Sequence, residues 1–433
     1  MSSSDTLRKT DLFKKSTGQG GFRISALLHI PDSNIPLVFV ESRLGHEDET
    51  ADVFYLRCGE YDKSSKDFQM SIVISIHTFK VGLSCDNHFL WKDATPIQSA
   101  RLEKHRSMNP CPVYEKSTNT VFLFFIAVDR SEQDQIINRK NAARLCYVTS
   151  VDNGQTWSNT IDLTESCLGV TINTWATFAL GPGHGTQLKS GRLVIPANAH
   201  VIESNDTIRV RALTFYSDDS GDSWQISKYI YGEECGECQM VSLDQGNEQS
   251  LIYCNARNNK AYNNPYRVEA FSTDGGKTFT EGKLSTQLVE HSQGCHGSII
   301  SFPASDISNV QNYSDLEKYH TQKGGDTPNF HNILFSHITN SSPRKDLGIY
   351  LSTYSDDAYT QADTYPPVHL TWTNPWIFFP HESAYSELAF VKLPEERNPI
   401  VTCLFEYGDK NNMISFCVFQ IDDIIEKTVK KMN

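Results

Sequence analysis

Ser150-Val-Asp-Asn-Gly-Gln-Thr-Trp157 recurs twice, as Ser217-Asp-Asp-Ser-Gly-Asp-Ser-Trp224 and as Ser272-Thr-Asp-Gly-Gly-Lys-Thr-Phe279. The shared form is Ser-x-Asp-x-Gly-x-Thr/Ser-aromatic, and each copy follows a β-like run. Asp and Ser side chains bond nearby backbone amides, Gly supplies a positive φ, and the aromatic is free to fold back and bury against the sheet. Each copy should therefore cap a β-hairpin. A spacing of roughly 55–70 residues predicts one copy per unit of a repeat architecture. Asp152, Asp219 and Asp274 are read as structural, not as catalytic carboxylates.

Outward from these turns the chain is strand-like almost throughout. Leu37–Glu41, Val121–Val128, Arg192–Ala197, Arg209–Ser217, Asn332–His337, Ile400–Phe405 and Met413–Ile421 are rich in Val, Ile, Phe and Tyr, and turn residues separate them. One short helix is expected within Glu132–Arg144. Ser305–Phe330 and Tyr354–Asn374 read as polar surface insertions. The fold expected is all-β, a six-bladed β-propeller of blades about 70 residues long with three of these hairpins. The propeller is placed at residues 21–421, between a lead segment 1–20 and a tail 422–433.

The bulk numbers exclude several classes. With 433 residues and a formal net charge of −13, the chain lacks the basic face that nucleic acid requires. MSSSDTLRKTDLFKK has no apolar h-region, and the longest apolar run, Val121–Val128, is far short of a bilayer span. The expected location is the cytoplasm or a membrane face contacted peripherally. Eleven cysteines, an odd number, read as free thiols. Cys235-Gly-Glu-Cys238 has no second C-x-x-C to complete a zinc site and no βαβ context for redox chemistry, so it reads as two incidental thiols. No cofactor or metal is expected.

A set of short motifs occurs in order. Gly21-Phe-Arg-Ile-Ser-Ala-Leu-Leu28 comes first, then Glu41-Ser-Arg43 and Glu47-Asp-Glu49. Glu237-Cys-Gln239, Asn255-Ala-Arg257, Arg344-Lys-Asp-Leu-Gly348, Ala384-Tyr-Ser-Glu-Leu388 and Cys403-Leu-Phe-Glu406 follow. Together with Met108–Pro112, Trp175–Gly185 and Gly191–Ala197, they resemble the vertebrate intracellular exo-α-sialidases (neuraminidases). The plasma-membrane, ganglioside-preferring type is the nearest in pattern and the cytosolic type second. The repeated turn resembles the Asp box of that family. The likeness runs from about Gly21 to Gln420. Taken singly, Tyr385 reads as a strand aromatic and Arg257 as a salt-bridge partner; the ordered set carries the inference.

The resemblance implies a chemistry that suits the substrate. Sialic acid carries a carboxylate on its anomeric carbon, for which planar arginines are the natural clamp. That anion repels a carboxylate nucleophile, whereas a neutral phenol with a neighbouring base avoids the problem. By resemblance, Arg23, Arg257 and Arg344 form the clamp and Arg43 assists. Asp48 is the acid/base, Tyr385 the nucleophile, Glu237 its base, and Glu406 orients Arg23. Asn109 and Glu132 contribute to the pocket. The implied partners are gangliosides and sialylated glycoproteins or oligosaccharides. The alternative is a lectin-like propeller that binds sialoglycans with weak or no turnover.

The chain departs from the family pattern at Ser25, where Pro is usual, and at Asn198 and His200, where tyrosines line the pocket. It also has His296 where Gln is common. The missing proline at Ser25 is expected to have little effect, since Arg23 is present, whereas the changes at Asn198, His200 and His296 are expected to alter the N-acyl and glycerol contacts and leave the clamp intact.

Overall fold

The computed structural model describes residues 7–14, 20–31, 33–45, 47–61, 89–243, 251–307, 331–354, 369–393, 398–408 and 413–429. After β1 (Thr10–Phe13), the first sheet holds β2 (Phe22–Ile30), β3 (Ile35–Arg43), β4 (Ala51–Tyr61) and β5 (Phe89–Trp91), with β6 (Thr95–Pro96) beside β4. The second runs through β7 (Arg106–Glu115), β8 (Thr120–Val128), β9 (Ala143–Ser150) and β10 (Ile161–Asp162). α1 (Glu132–Asn138) links β8 to β9, and the Ser131 side chain caps it by accepting from the Asp134 N–H. The third contains β11 (Trp175–Leu180), β12 (Thr186–Gln187), β13 (Leu193–Ile202), β14 (Ile208–Ser217) and β15 (Gln225–Ile226). The fourth is β16 (Cys235–Ser242), β17 (Ile252–Asn258), β18 (Tyr266–Ser272) and β19 (Lys283–Val289).

The last sheet joins β20 (Ser298–Pro303), β21 (His331–Ile338), β22 (Lys345–Tyr354), β23 (Trp376–Val391), β24 (Ile400–Tyr407) and β25 (Met413–Gln420), with β1 on its far edge. β23 is unusually long. Its first half, to Glu382, pairs with β22, and its second half, from Ser383, pairs with β24.

The apolar cores lie between successive sheets. Phe39 and Phe54 of the first sheet pack with Leu123 and Phe125 of the second. Phe124 of the second packs with Phe178 and Phe215 of the third, and so on around the molecule. The circuit returns to its start where Val38 and Val40 of β3 meet Leu404 and Phe416. The arrangement is propeller-like and all-β.

The three repeated turns close alike. In each, the Ser hydroxyl meets the Asp carboxylate at 2.7–2.8 Å and accepts the Gly N–H at 2.8–2.9 Å. The Asp also takes the N–H of the following Thr or Ser at 2.9 Å. The aromatics reach beyond their own sheet: Trp157 packs edge-on to Phe39 of the first, and Trp224 to Phe124 of the second. Gly221 (φ +97°) is required twice over, because a Cβ there would lie 2.3 Å from Phe122.

Both ends of the chain and the second insertion add packed structure. Within lead segment 1–20, β1 pairs with β25 and puts Leu12 and Phe13 into the core. Within tail 422–433, α2 (Ile421–Val429) buries Ile421, Ile424, Ile425 and Val429 against the last sheet, a helical spacing outweighed in the sequence by its charged neighbours. Of the two insertions, 308–330 and 355–368 lie outside the described residues. The end of the second is not surface loop: Leu370 and Trp372 are buried, and Trp372 packs on Tyr253 and Phe335.

Candidate active site

A cavity of about 800 Å³ is lined by Arg23, Arg43, Asp48, Glu237, Arg257, Arg344 and Tyr385 together with Asn109, Glu132, Asn198 and His200. Glu406 lies behind it. Arg23, Arg43, Asn109, Glu237 and Tyr385 stand at interruptions in strand register, and Arg344 immediately precedes one. Bulges fall between Arg23 and Ala26, Glu41 and Arg43, Met108 and Cys111, Cys235 and Cys238, Lys345 and Leu347, and Ser383 and Ser386. A bulge breaks the strict in–out alternation of a strand and re-aims a side chain. Ile24, Asn109 and Asp346 adopt φ of +50°, +57° and +61°, a strained choice for a β-branched Ile. The strand persists through Ser25, so the missing proline leaves β2 unbroken.

Tyr385 is the centre of the arrangement. Its hydroxyl donates to Glu237, whose two oxygens lie at 2.6 and 2.7 Å. Arg257 Nη1 reaches Glu237 at 2.8 Å and the Tyr385 oxygen at 3.3 Å. The guanidinium groups of Arg23 and Arg344 stand over the Tyr385 ring at 5.7 and 5.9 Å. Burial and the Glu237 carboxylate push the phenol well above its usual pKa. Burial would raise Glu237, but Arg257, His296 and the bond from Tyr385 outweigh it and hold the carboxyl below the usual range. The resting pair is thus a protonated phenol against an ionised base.

Glu406, fully buried, accepts from Arg23 Nε at 3.0 Å, from the Ile24 N–H at 2.7 Å and from the Tyr385 N–H at 3.4 Å. One carboxylate so ties the first arginine to the backbone of the tyrosine. On the neighbouring strand, Arg43 bonds Glu41 at 2.7 Å and forms an ion pair with Asp48 at 2.6 Å. Asp48 sits in a single helical turn, Asp48–Thr50, with its side chain 64% exposed.

Further lining comes from β7, α1 and β13. The Asn109 N–H donates to Glu41 at 2.7 Å. His200 Nε2 lies 3.6 Å from Glu132, and burial depresses the imidazole pKa to about 4. Asn198 is buried, and its amide nitrogen has no protein partner. His296 is not part of this lining. It is fully buried, its ring centroid 5.2 Å from that of Tyr385 and its Nε2 3.0 Å from Glu387. It lies in the segment before β20 and outside the cavity lining.

Sequence reasoning overlooked the buried carboxylates. Glu41 carries Arg43 and Asn109, and the only signal was its i, i+2 spacing from Arg43 on one strand face. Glu387 bonds His184, Gln239, His296 and Ser298, all distant in sequence. Among the described residues no group of three or more His, Cys, Asp or Glu side chains could hold a metal ion, and no helix is long and apolar enough to cross a membrane.

A family model described as a BNR repeat-like domain matches residues 64–390. Sialidase-3 of Rattus norvegicus is 35% identical, covering 98% of this chain and 96% of its own. Sialidase-4 and Sialidase-2 of Mus musculus are each 33% identical over 97% of this chain, covering 94% and 97% of their own. Among solved structures, the Hadza microbial sialidase Hz136 superposes with a TM-score of 0.67 at 17% identity, over 96% of this chain and 69% of its own. An intramolecular trans-sialidase from Ruminococcus gnavus superposes at 0.65 and 14% identity, over 96% of this chain and 98% of its own. A propeller-like fold with such relatives is that of a glycoside hydrolase. The chain belongs to the sialidase family, alongside vertebrate Sialidase-2, Sialidase-3 and Sialidase-4.

Proposed function

We propose that the protein is an exo-α-sialidase that releases terminal sialic acid with retention, through Tyr385. The observation that carries this reading is the Tyr385–Glu237 pair, with the phenol bonded to both carboxylate oxygens, Arg257 at its oxygen and Arg23 and Arg344 over its ring. Arg23, Arg257 and Arg344 hold the substrate carboxylate, and Arg43 keeps Asp48 at the mouth. Protonated Asp48 donates to the departing glycosidic oxygen. The Tyr385 oxygen attacks the anomeric carbon as its proton passes to Glu237. In the second half, Asp48 removes a proton from water, water attacks the same carbon, and the tyrosyl oxygen leaves and regains its proton from Glu237. Two inversions give retention.

The seven-stranded sheet counts in this reading as two blades hinged at Glu382–Ser383, making six, and the three repeated turns are the family's Asp boxes. The substrates are sialylated glycolipids, gangliosides among them, and glycoproteins, reached by peripheral contact with a membrane. Release of the fluorophore from 4-methylumbelliferyl sialic acid tests the chemistry. Wild type should turn over, and Tyr385→Phe should lose at least about a thousandfold in kcat while keeping its fold. Sialic acid binding without turnover by folded wild type would instead establish a lectin-like module.

A further inference from the structure

A second set of buried charges lies outside the cavity lining and is built into its arginines. Glu290, just past β19, is fully buried, as are Arg267 and His337. One of its oxygens accepts from Arg267 Nη1 at 2.7 Å and from the Asn258 N–H at 3.3 Å. The other accepts the N–H groups of His291 at 2.9 Å and Cys295 at 3.0 Å, and lies 3.2 Å from His337 Nε2. A single carboxylate thus pins both ends of the turn at 291–295 and the peptide next to Arg257.

That turn offers three successive carbonyls to three guanidinium groups. Gln293 accepts from Arg257 at 2.7 Å, Gly294 from Arg344 at 2.7 Å and Cys295 from Arg267 at 2.6 Å. The turn is tight: the Gly294 N–H bonds the His291 carbonyl at 2.7 Å, and Gly294 sits at φ +69°. A Cβ on Gly294 would lie 2.4 Å from Arg257 Nε, so turn and arginine are in close contact. A guanidinium is a planar fork whose aim follows from where its N–H groups are held. Burial would raise the Glu290 carboxyl, yet Arg267 and His337 hold it at about 2, so it stays ionised across neutral and mildly acidic pH.

We propose that Glu290, held by Arg267 and His337, is a positioning residue that sets the spacing of Arg257 and Arg344 and thereby the affinity for the substrate carboxylate. The inference rests on the reading of those arginines as the clamp. Glu290 touches no substrate and acts through the turn.

The test compares binding of 2,3-unsaturated sialic acid with that of its methyl ester, by calorimetry. Wild type should prefer the free carboxylate, and Glu290→Gln should shrink that preference about tenfold, as expected when a remote change misaligns a binding group. A merely structural role would weaken both ligands alike and leave the ratio unchanged, which overturns the proposal. Should Glu290→Gln fail to fold, His337→Leu decides, since it removes the imidazole donor and keeps the Arg267 pair. A reduced ratio supports the role and an unchanged ratio overturns it. Wild type with no preference would sink the clamp reading itself, a result distinct from an unchanged ratio in the variants.

Discussion

Asn198 and His200 of β13 line the cavity beside the arginines and the tyrosine. Asn198 leaves a buried amide nitrogen without a protein partner, an arrangement that costs roughly 1–3 kcal/mol unless something else accepts from it. His200 is neutral above a pKa of about 4 and sits 3.6 Å from Glu132. Both line the same cavity as the arginines. Asn198→Tyr with His200→Tyr is therefore expected to change the order of preference among N-acetyl, N-glycolyl and deaminated sialic acids, by about tenfold in kcat/KM. Competition assays on the three sialosides check it; an unchanged order would show that these side chains do not read that substituent of the sugar. At this scale the sequence was most legible where a role is carried by contiguous residues, as in Ala384-Tyr-Ser-Glu-Leu388. It was least legible for Glu290 and Glu387. The partners of a buried carboxylate can stand anywhere along the chain, and Glu387 is 203 residues from His184 and 148 from Gln239.

The repeated hairpins show local sequence determining local structure almost unaided. Every bond that closes the Ser217–Trp224 turn comes from within it, including Asp219 to the Ser217 hydroxyl at 2.7 Å and to the Ser223 N–H at 2.9 Å. Asp219→Ala should lower stability by about 1–2 kcal/mol. It should leave KM for a synthetic sialoside unchanged, since the turn is remote from the cavity; paired melting curves and kinetics check both. Hydrogen bonds from Ser223 hold the Asp219 carboxyl below its usual pKa. Because the folded value is depressed, this contribution is present above the unfolded value near 4 and is lost as pH falls through the lower folded one. The variant should therefore lose some of the acid sensitivity of wild type. The bulges that aim the site residues are a different matter. Pro110 is a local signal for the shift between Met108 and Cys111, but nothing in Gly21–Leu28 announces the one after Arg23, because a bulge is defined by the partner strand as much as by its own residues.

The two ends of the described chain hold the molecule closed. β1 adds to β25, and the circuit of cores returns to β3 through Val38 and Val40. α2 lays four apolar side chains on the last sheet. Removing residues 421–433 exposes that face and should destabilise the protein by on the order of 6 kcal/mol, an upper estimate. A sharp fall in melting temperature is expected, and a melting temperature within a degree or two of wild type would show the helix to be peripheral. The sequence by itself determined the β-rich character and the three hairpins, and its motifs singled out Arg23, Arg257, Arg344, Tyr385 and Glu237, which the fold brings to one cavity. Each of these is written in short-range pattern, where a few adjacent residues carry the chemistry. Tertiary structure alone decided the bulges that turn those side chains inward and the buried carboxylates that brace them. It also decided the burial of Trp372, β1 and α2. These depend on which distant segments meet, and a charge or an apolar face means nothing until its partner surface arrives.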